Sequence, residues 1–223
     1  MCYKVKVKAS IEDLQKRYDA VFEQKLEELH EHEEASGFGH PHLPVITSEN
    51  NSKIQLMEWG LVPGWVKDEK AAAEMQNVTL NARSETLFDK PSFRSILKKR
   101  CLILINGFYE TQHNGKHTIP FFIHLKNSAL FALGGLYDEW VNTNTGEIFR
   151  GFSIITVPAN PLMAHIHNTK KRMPLILPQQ NEKDWVKPDI SEQQIKSFIT
   201  QYPEADMQAE EIKKQSDTLS LWE

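Results

Sequence analysis

The run Cys101-Leu102-Ile103-Leu104-Ile105-Asn106-Gly107-Phe108-Tyr109-Glu110 starts with five apolar residues in a row and ends in a glycine turn and a carboxylate. A short apolar segment rich in branched side chains and bounded by Asn-Gly reads as a buried strand. Just beyond it, His113-Asn114-Gly115-Lys116 carries an Asn-Gly hairpin signal, and Thr118–Leu125 supplies the returning strand. Outward from this hairpin the pattern repeats. Ala129–Leu133 and Glu147–Val157 read as strands on either side of an Asn142–Gly146 turn, and Met173–Leu177 is extended. On the N-terminal side, Leu43–Thr47 and Lys53–Trp59 are strands. Cys2–Lys8 alternates, with Val5 and Val7 on one face and lysines on the other.

The helical signals stand apart from these strands. Ser10-Ile11-Glu12-Asp13 resembles a capping box with Asp in place of Glu, and Leu14, Tyr18, Phe22, Leu26 and Leu29 follow at helical spacing. This predicts a helical insertion over about 10–36, closed by Ser36-Gly37, with Glu27–Glu34 as its solvated face. Lys67–Gln76 is a helical turn or an insertion, Ser92–Lys99 and Pro158–His165 are helices, and about 181–223 is a polar helical tail. Hairpin-joined strands with segregated helices predict one α+β domain over 1–223, with an antiparallel β core and peripheral helices.

Composition narrows the function classes. The 223 residues are 40% apolar, enough for a sizeable core. Lys and Arg total 26 against 30 Asp and Glu, a net charge of −4, which excludes a strongly basic nucleic-acid binder but not a local basic groove. The longest apolar stretch, around Ala129–Tyr137, is far too short for a membrane span, and Met1–Lys6 has no apolar core of a secretory signal. Two cysteines, Cys2 and Cys101, make no disulfide framework and suit a reducing, cytoplasmic setting. His30/His32, His40/His42 and His165/His167 are three His-x-His pairs. The first falls on a predicted helix, where alternate residues diverge, and the second in a loop, so no metal site is expected.

Chemistry concentrates elsewhere. If Met1 is removed, Cys2 carries a free α-amine beside its thiol, a pair that condenses with an aldehyde and closes a thiazolidine. Taken alone, Cys2 is a small residue at a tolerant terminus. Asn81-Ala82-Arg83 places an amide and a guanidinium two residues apart, able to orient an amine and pair with a phosphate, or to serve as a helix cap and a surface charge. Glu110 beyond its buried strand has the setting for a raised pKa. His165 or His167 could move protons near neutral pH. Arg83, Lys98–Arg100 and Lys170–Arg172 are the cations from which a basic groove could be built, away from the acid of Glu27–Glu34.

These segments together resemble the SRAP family, the SOS-response-associated peptidases or abasic-site-processing proteins. The pattern is Met-Cys at the start, Trp59-Gly60-Leu61-Val62-Pro63-Gly64-Trp65, Asn81-Ala82-Arg83-Ser84-Glu85, Gly107-Phe108-Tyr109-Glu110, and a His before Arg172-Met173-Pro174. The resemblance implies a barrel-like fold and a Cys2 that cross-links covalently to the aldehyde of an abasic site in single-stranded DNA. Asn81 would position Cys2, and Glu110 and His167 would transfer protons. Lys4, Arg83 and Arg172 would contact DNA, with Trp59 and Trp65 lining or supporting the groove. It implies no cofactor, no metal, no membrane and a monomeric cytoplasmic protein that sits on the nucleoid when bound. Self-removal of Met1 and lyase cleavage are possible side activities. The chain departs from the family pattern at Tyr3-Lys4, at Thr111 and at Asn168–Lys171, which separates His167 from Arg172; His165 is the alternative histidine. A cysteine-type peptidase and a non-covalent single-strand binding module are the two rival classes.

Overall fold

The apolar run Cys101–Ile105 lies in the wall of a closed barrel. The computed structural model describes residues 2–23 and 29–213. In chain order the elements are β1 (Lys4–Val7), α1 (Ile11–Tyr18), β2 (Val21–Phe22), β3 (His32–Ser36), β4 (His42–Thr47), β5 (Lys53–Trp59), α2 (Glu69–Val78), β6 (Asn81–Arg83), α3 (Pro91–Arg94), β7 (Arg100–Ile105) and β8 (Gly107–Asn114). They continue as β9 (His117–Leu125), β10 (Phe131–Val141), β11 (Ile148–Pro158), α4 (Pro161–Ile166), β12 (Arg172–Pro174), β13 (Ile176–Leu177), α5 (Gln179–Trp185), α6 (Glu192–Phe198) and β14 (Met207–Glu211).

Strands β5, β4, β7, β10 and β11 pair in that order, and β11 returns to β5. Four of the five seams are antiparallel, as expected. The fifth, Gly151↔Glu58 and Phe152↔Trp59, is parallel, so the barrel is mixed. Gly151 makes this closure possible, because a Cβ there would lie 2.4 Å from the Gly60 carbonyl oxygen. Inside, Cys101–Ile105 are all buried, together with Val45, Ile54, Leu133, Leu136, Phe152 and Ile154. Burial of branched side chains at this density is the main stabilising term.

A second, five-stranded sheet, β14-β9-β8-β1-β3, grows from the end of β7, where the chain passes through Asn106 directly into β8. The β8–β9 hairpin turns at Gly115-Lys116, with Gly115 at φ +59°, so glycine takes the first central position of the turn. Among the described residues no helix is long and apolar enough to cross a membrane.

Three predicted segments are corrected. The helix expected over about 10–36 ends at Tyr18. Ser10 caps it as predicted, its Oγ accepting from the Asp13 amide at 3.1 Å. Asp19 then adopts φ +53° and closes the helix. The chain turns into β2 on the edge of β5, and β3 pairs antiparallel with β1. The unsatisfied backbone edges of β5 and β1 outweigh a helical spacing that Phe22 and Leu29 merely happened to match. Leu26 and part of the acidic run lie outside the described residues. His32, expected on that helix, lies on β3. The helix expected over Ser92–Lys99 is the shorter α3. The tail is helical through α5 and α6 but then forms β14, which covers the edge of β9; residues 214–223 lie outside the described part.

Candidate active site

Four separate elements converge at the N-terminal end of β1. Cys2 precedes β1 and is buried. Its carbonyl accepts a hydrogen bond from Asn81 Nδ2 at 2.9 Å. Asn81 opens β6, which runs parallel to β11 with Asn81↔Ile154 and Arg83↔Thr156. Alternation along that strand puts Asn81 and Arg83 on one face, and the Arg83 side chain is exposed. Glu110 comes from β8, one residue beyond the Lys4↔Tyr109 pair of the β1–β8 register. His167 follows α4, and its Nδ1 is 3.7 Å from Glu110 Oε1.

The protonation states follow from burial. Burial pushes the Glu110 carboxyl up to about 7. Burial also holds the His167 imidazole below its ordinary range. His167 Nδ1 is 2.9 Å from the Arg172 carbonyl, which can only accept, so Nδ1 carries the proton and Nε2 is the basic nitrogen. At neutral pH the contact with Glu110 is therefore not an ion pair but a half-protonated carboxyl beside a neutral imidazole. Burial, followed by the nearby Glu110 charge, raises the Cys2 thiol, so the sulfur is protonated in this environment. The Asn81 Oδ1 atom is buried with no hydrogen-bond partner among the described residues, an acceptor left open beside Cys2.

The four-residue spacer Asn168–Lys171 does not displace the histidine. Lys171 adopts φ +49°, and its amide bonds the His167 carbonyl at 2.8 Å, so the spacer is a turn that brings Arg172 back against His167. Asn168 clamps it to β8, accepting from the His113 amide at 3.1 Å and donating to the His113 carbonyl at 2.7 Å. His165 is exposed, and its Nε2 lies 3.0 Å from Gln112 Nε2 rather than against Glu110.

Other expected residues sit differently. Trp59 is fully buried, stacked over Phe152, with Nε1 donating to the Leu80 carbonyl at 2.9 Å; it supports the site from beneath and offers no face to a base. Arg172 is 8% exposed. Its guanidinium grips Glu85 at 2.5 and 2.8 Å and Thr156 O at 2.6 Å, so its donors are committed inside the protein. Lys4 is ion-paired with Glu34, and Lys6 and Lys8 with Glu33, because β3 lays its acids along β1. Arg100 is fully buried, capping the Trp185, Leu97, Lys187 and Pro188 carbonyls, and Lys99 binds Asp138, so two of the three cations Lys98–Arg100 are held by protein partners while Lys98 is exposed. Trp65, by contrast, is 54% exposed. The sequence reading missed the Glu85 partner of Arg172 and the exposed Phe38; a phenylalanine between two glycines was the available sign of the latter. Among the described residues no group of three or more His, Cys, Asp or Glu side chains is arranged to hold a metal ion.

A mixed β-barrel that holds a cysteine from the extreme N-terminus against an amide, a buried carboxyl and a neutral imidazole defines a narrow class of protein. The chain belongs to the SOS response associated peptidase (SRAP) family, which matches it over residues 1–217. It is 41% identical over 173 residues to the abasic site processing protein YoqW of Bacillus subtilis, covering 76% of this chain and 74% of that one. It is 36% identical over 141 residues to the abasic site processing protein HMCES of Gallus gallus, covering 54% of this chain and 41% of that one. A crystal structure of a protein from Bacteroides thetaiotaomicron superimposes with a TM-score of 0.91 at 38% identity, over 95% of this chain and 92% of that one.

Proposed function

We propose that this protein captures abasic sites in single-stranded DNA by a covalent bond to Cys2, after removal of Met1. The observation that carries the reading is the Asn81 side chain. Its Nδ2 holds the Cys2 carbonyl, and its buried Oδ1 lacks a partner among the described residues. An open buried acceptor costs free energy, and beside Cys2 it suits an amine. The names of the relatives point to the same substrate.

The chemistry balances without cofactor or oxidant. The neutral Cys2 α-amine adds to the C1′ aldehyde of the ring-opened sugar and gives a carbinolamine. Loss of water leaves an imine, and addition of the Cys2 sulfur to the imine carbon, with the thiol proton passing to nitrogen, closes the thiazolidine. Each step needs a proton moved. A Glu110 titrating near 7 can donate to the departing hydroxyl and accept from the thiol. His167 Nε2 serves as the second proton-transfer group. Arg83 and Trp65, both exposed, are available to meet phosphate and base, while Arg172 and Trp59 hold the walls. The same imine is the branch point for a lyase side reaction.

A denaturing gel tests the reading with abasic and intact single-stranded oligonucleotides. The expected result is a covalent band with the abasic strand alone, lost when a residue is retained ahead of Cys2 and its nitrogen stays an amide. Turnover of a peptide with no such band would select the peptidase reading. Binding without a covalent band would select the non-covalent module.

A further inference from the structure

Phe38 lies in a tight turn, Gly37–Gly39, and the residue is 60% exposed. An apolar ring of that size normally turns inward when its loop has freedom to move. This loop has none. Gly37 presses on Trp59: a Cβ at Gly37 would meet the indole carbons at 3.1 Å. The Gly37 amide donates to the Tyr3 carbonyl at 2.8 Å, tying the turn to the residue after Cys2. On the other side His40 adopts φ +47°, and its Nδ1 bonds the Trp59 carbonyl at 2.8 Å. Phe38 is thus held out from both ends of its turn by a fully buried tryptophan.

Its inner neighbour is the Tyr3 ring. The two are stacked with centroids 5.0 Å apart and planes 29° from parallel. Tyr3 directly follows Cys2, and its phenol feels the charge of both Glu110 and Arg83. The stack therefore stands at the rim of the site, where the charges of a buried carboxyl and an exposed guanidinium both reach it.

We propose that the Tyr3–Phe38 pair is a nucleobase platform, on which the unpaired base next to the abasic nucleotide stacks while Arg83 takes an adjoining phosphate. The occupant follows from the chemistry. A flat apolar ring held rigidly in water beside one cation matches a flat π-face joined to an anion, which is a nucleotide. Because the ring is already fixed, binding costs little side-chain ordering. A base seated there would bring the neighbouring sugar, which has no base of its own, over Cys2. The proposal rests on single-stranded abasic DNA as the ligand, and it makes the identity of the flanking position matter to a protein that otherwise reads no sequence.

The test uses an oligonucleotide carrying a tetrahydrofuran abasic analogue, which has no aldehyde and forms no adduct. Two versions are compared by fluorescence anisotropy: one with adenine on both sides of the analogue, one with further tetrahydrofuran units there. The wild-type protein is expected to bind the base-bearing version about tenfold more tightly, within the range that base–aromatic stacking supplies. Phe38→Ala should erase that preference. Tyr3→Phe, which keeps the stacked pair, should retain it. Equal binding of the two versions by wild type, or an intact preference in Phe38→Ala, overturns the platform. The adduct assay with true abasic DNA is scored separately on wild-type protein. A wild-type protein that forms no adduct yet shows a Phe38-dependent preference would support the platform and remove the capture chemistry alone.

Discussion

Glu110 and Glu182 are both carboxyls buried by the fold, and the protein gives them different partners. Glu182 sits on α5 with its side chain 5% exposed and takes two hydrogen bonds of 3.0 Å from the Arg17 guanidinium. The same helix places Trp185 Nε1 2.9 Å from the Cys101 carbonyl. Glu110 is 9% exposed and has a neutral imidazole beside it instead of an arginine fork. Burial raises both acids, but at Glu182 the arginine opposes it. Burial prevails at both, and it carries Glu110 to about 7. A buried acid with a bidentate partner ties α1 to α5. A buried acid beside a neutral partner is poised to exchange a proton. The two cysteines divide likewise. Both thiols are pushed up by burial, but Cys101 lies within β7, where its nitrogen is an amide in the sheet ladder.

The largest expected contrast lies between those cysteines. Cys2→Ser should abolish the stable adduct on a denaturing gel, leaving at most an imine trappable by hydride, whereas Cys101→Ser should form adduct at the wild-type rate. A stable adduct from Cys2→Ser, or its loss in Cys101→Ser, would place the nucleophile at the wrong end of the molecule.

The carboxyls should separate in stability. Glu182→Ala strands Arg17 and should cost about 3 kcal/mol in urea unfolding, near the low end for a broken buried pair because Arg17 keeps some contact with water. Glu110→Gln should act in the other direction. The folded-state value near 7 exceeds the unfolded one near 4.3, so the folded protein holds the extra proton and wild-type stability falls as pH rises between those values. Below about pH 4 the glutamine variant should match wild type. Above pH 7 it should be more stable by roughly 3 to 4 kcal/mol. Parallel pH profiles for the two proteins would mean that Glu110 is ordinary.

In kinetics, Glu110→Gln should slow adduct formation by about 10²-fold without abolishing it, as the loss of one proton-transfer group does. His167→Ala should also slow it, and His165→Ala should not, since His165 faces Gln112. A slow His165→Ala with a normal His167→Ala would exchange their roles. The smallest effect is expected at Arg83. Arg83→Glu should weaken single-strand binding by about tenfold at low salt and reduce the slope of log affinity against log salt by about one. Lys99→Glu, on the side of Asp138, should leave that slope unchanged.

The local chemistry of the chain determined the strand series, the Ser10 cap, the hairpin at Gly115 and the single α+β domain, because alternation, capping and turn preference are short-range properties. It also singled out Cys2, Asn81, Glu110 and His167 as candidates, through motifs spread over 165 positions of the numbering. Tertiary structure alone decided that these four meet, since their proximity depends on β1, β6, β8 and the turn after α4 packing at one end of the sheet. It decided the parallel β5–β11 seam and the conversion of an expected helix into β2 and β3, where pairing of distant backbone edges overrode a local period. It decided which polar and aromatic groups remain available. Trp59, Arg100 and Arg172 look in sequence like Trp65 and Arg83, yet the first three are enclosed by partners from remote segments and the last two face water. Availability is a property of a side chain's neighbours, and a one-dimensional pattern does not contain them.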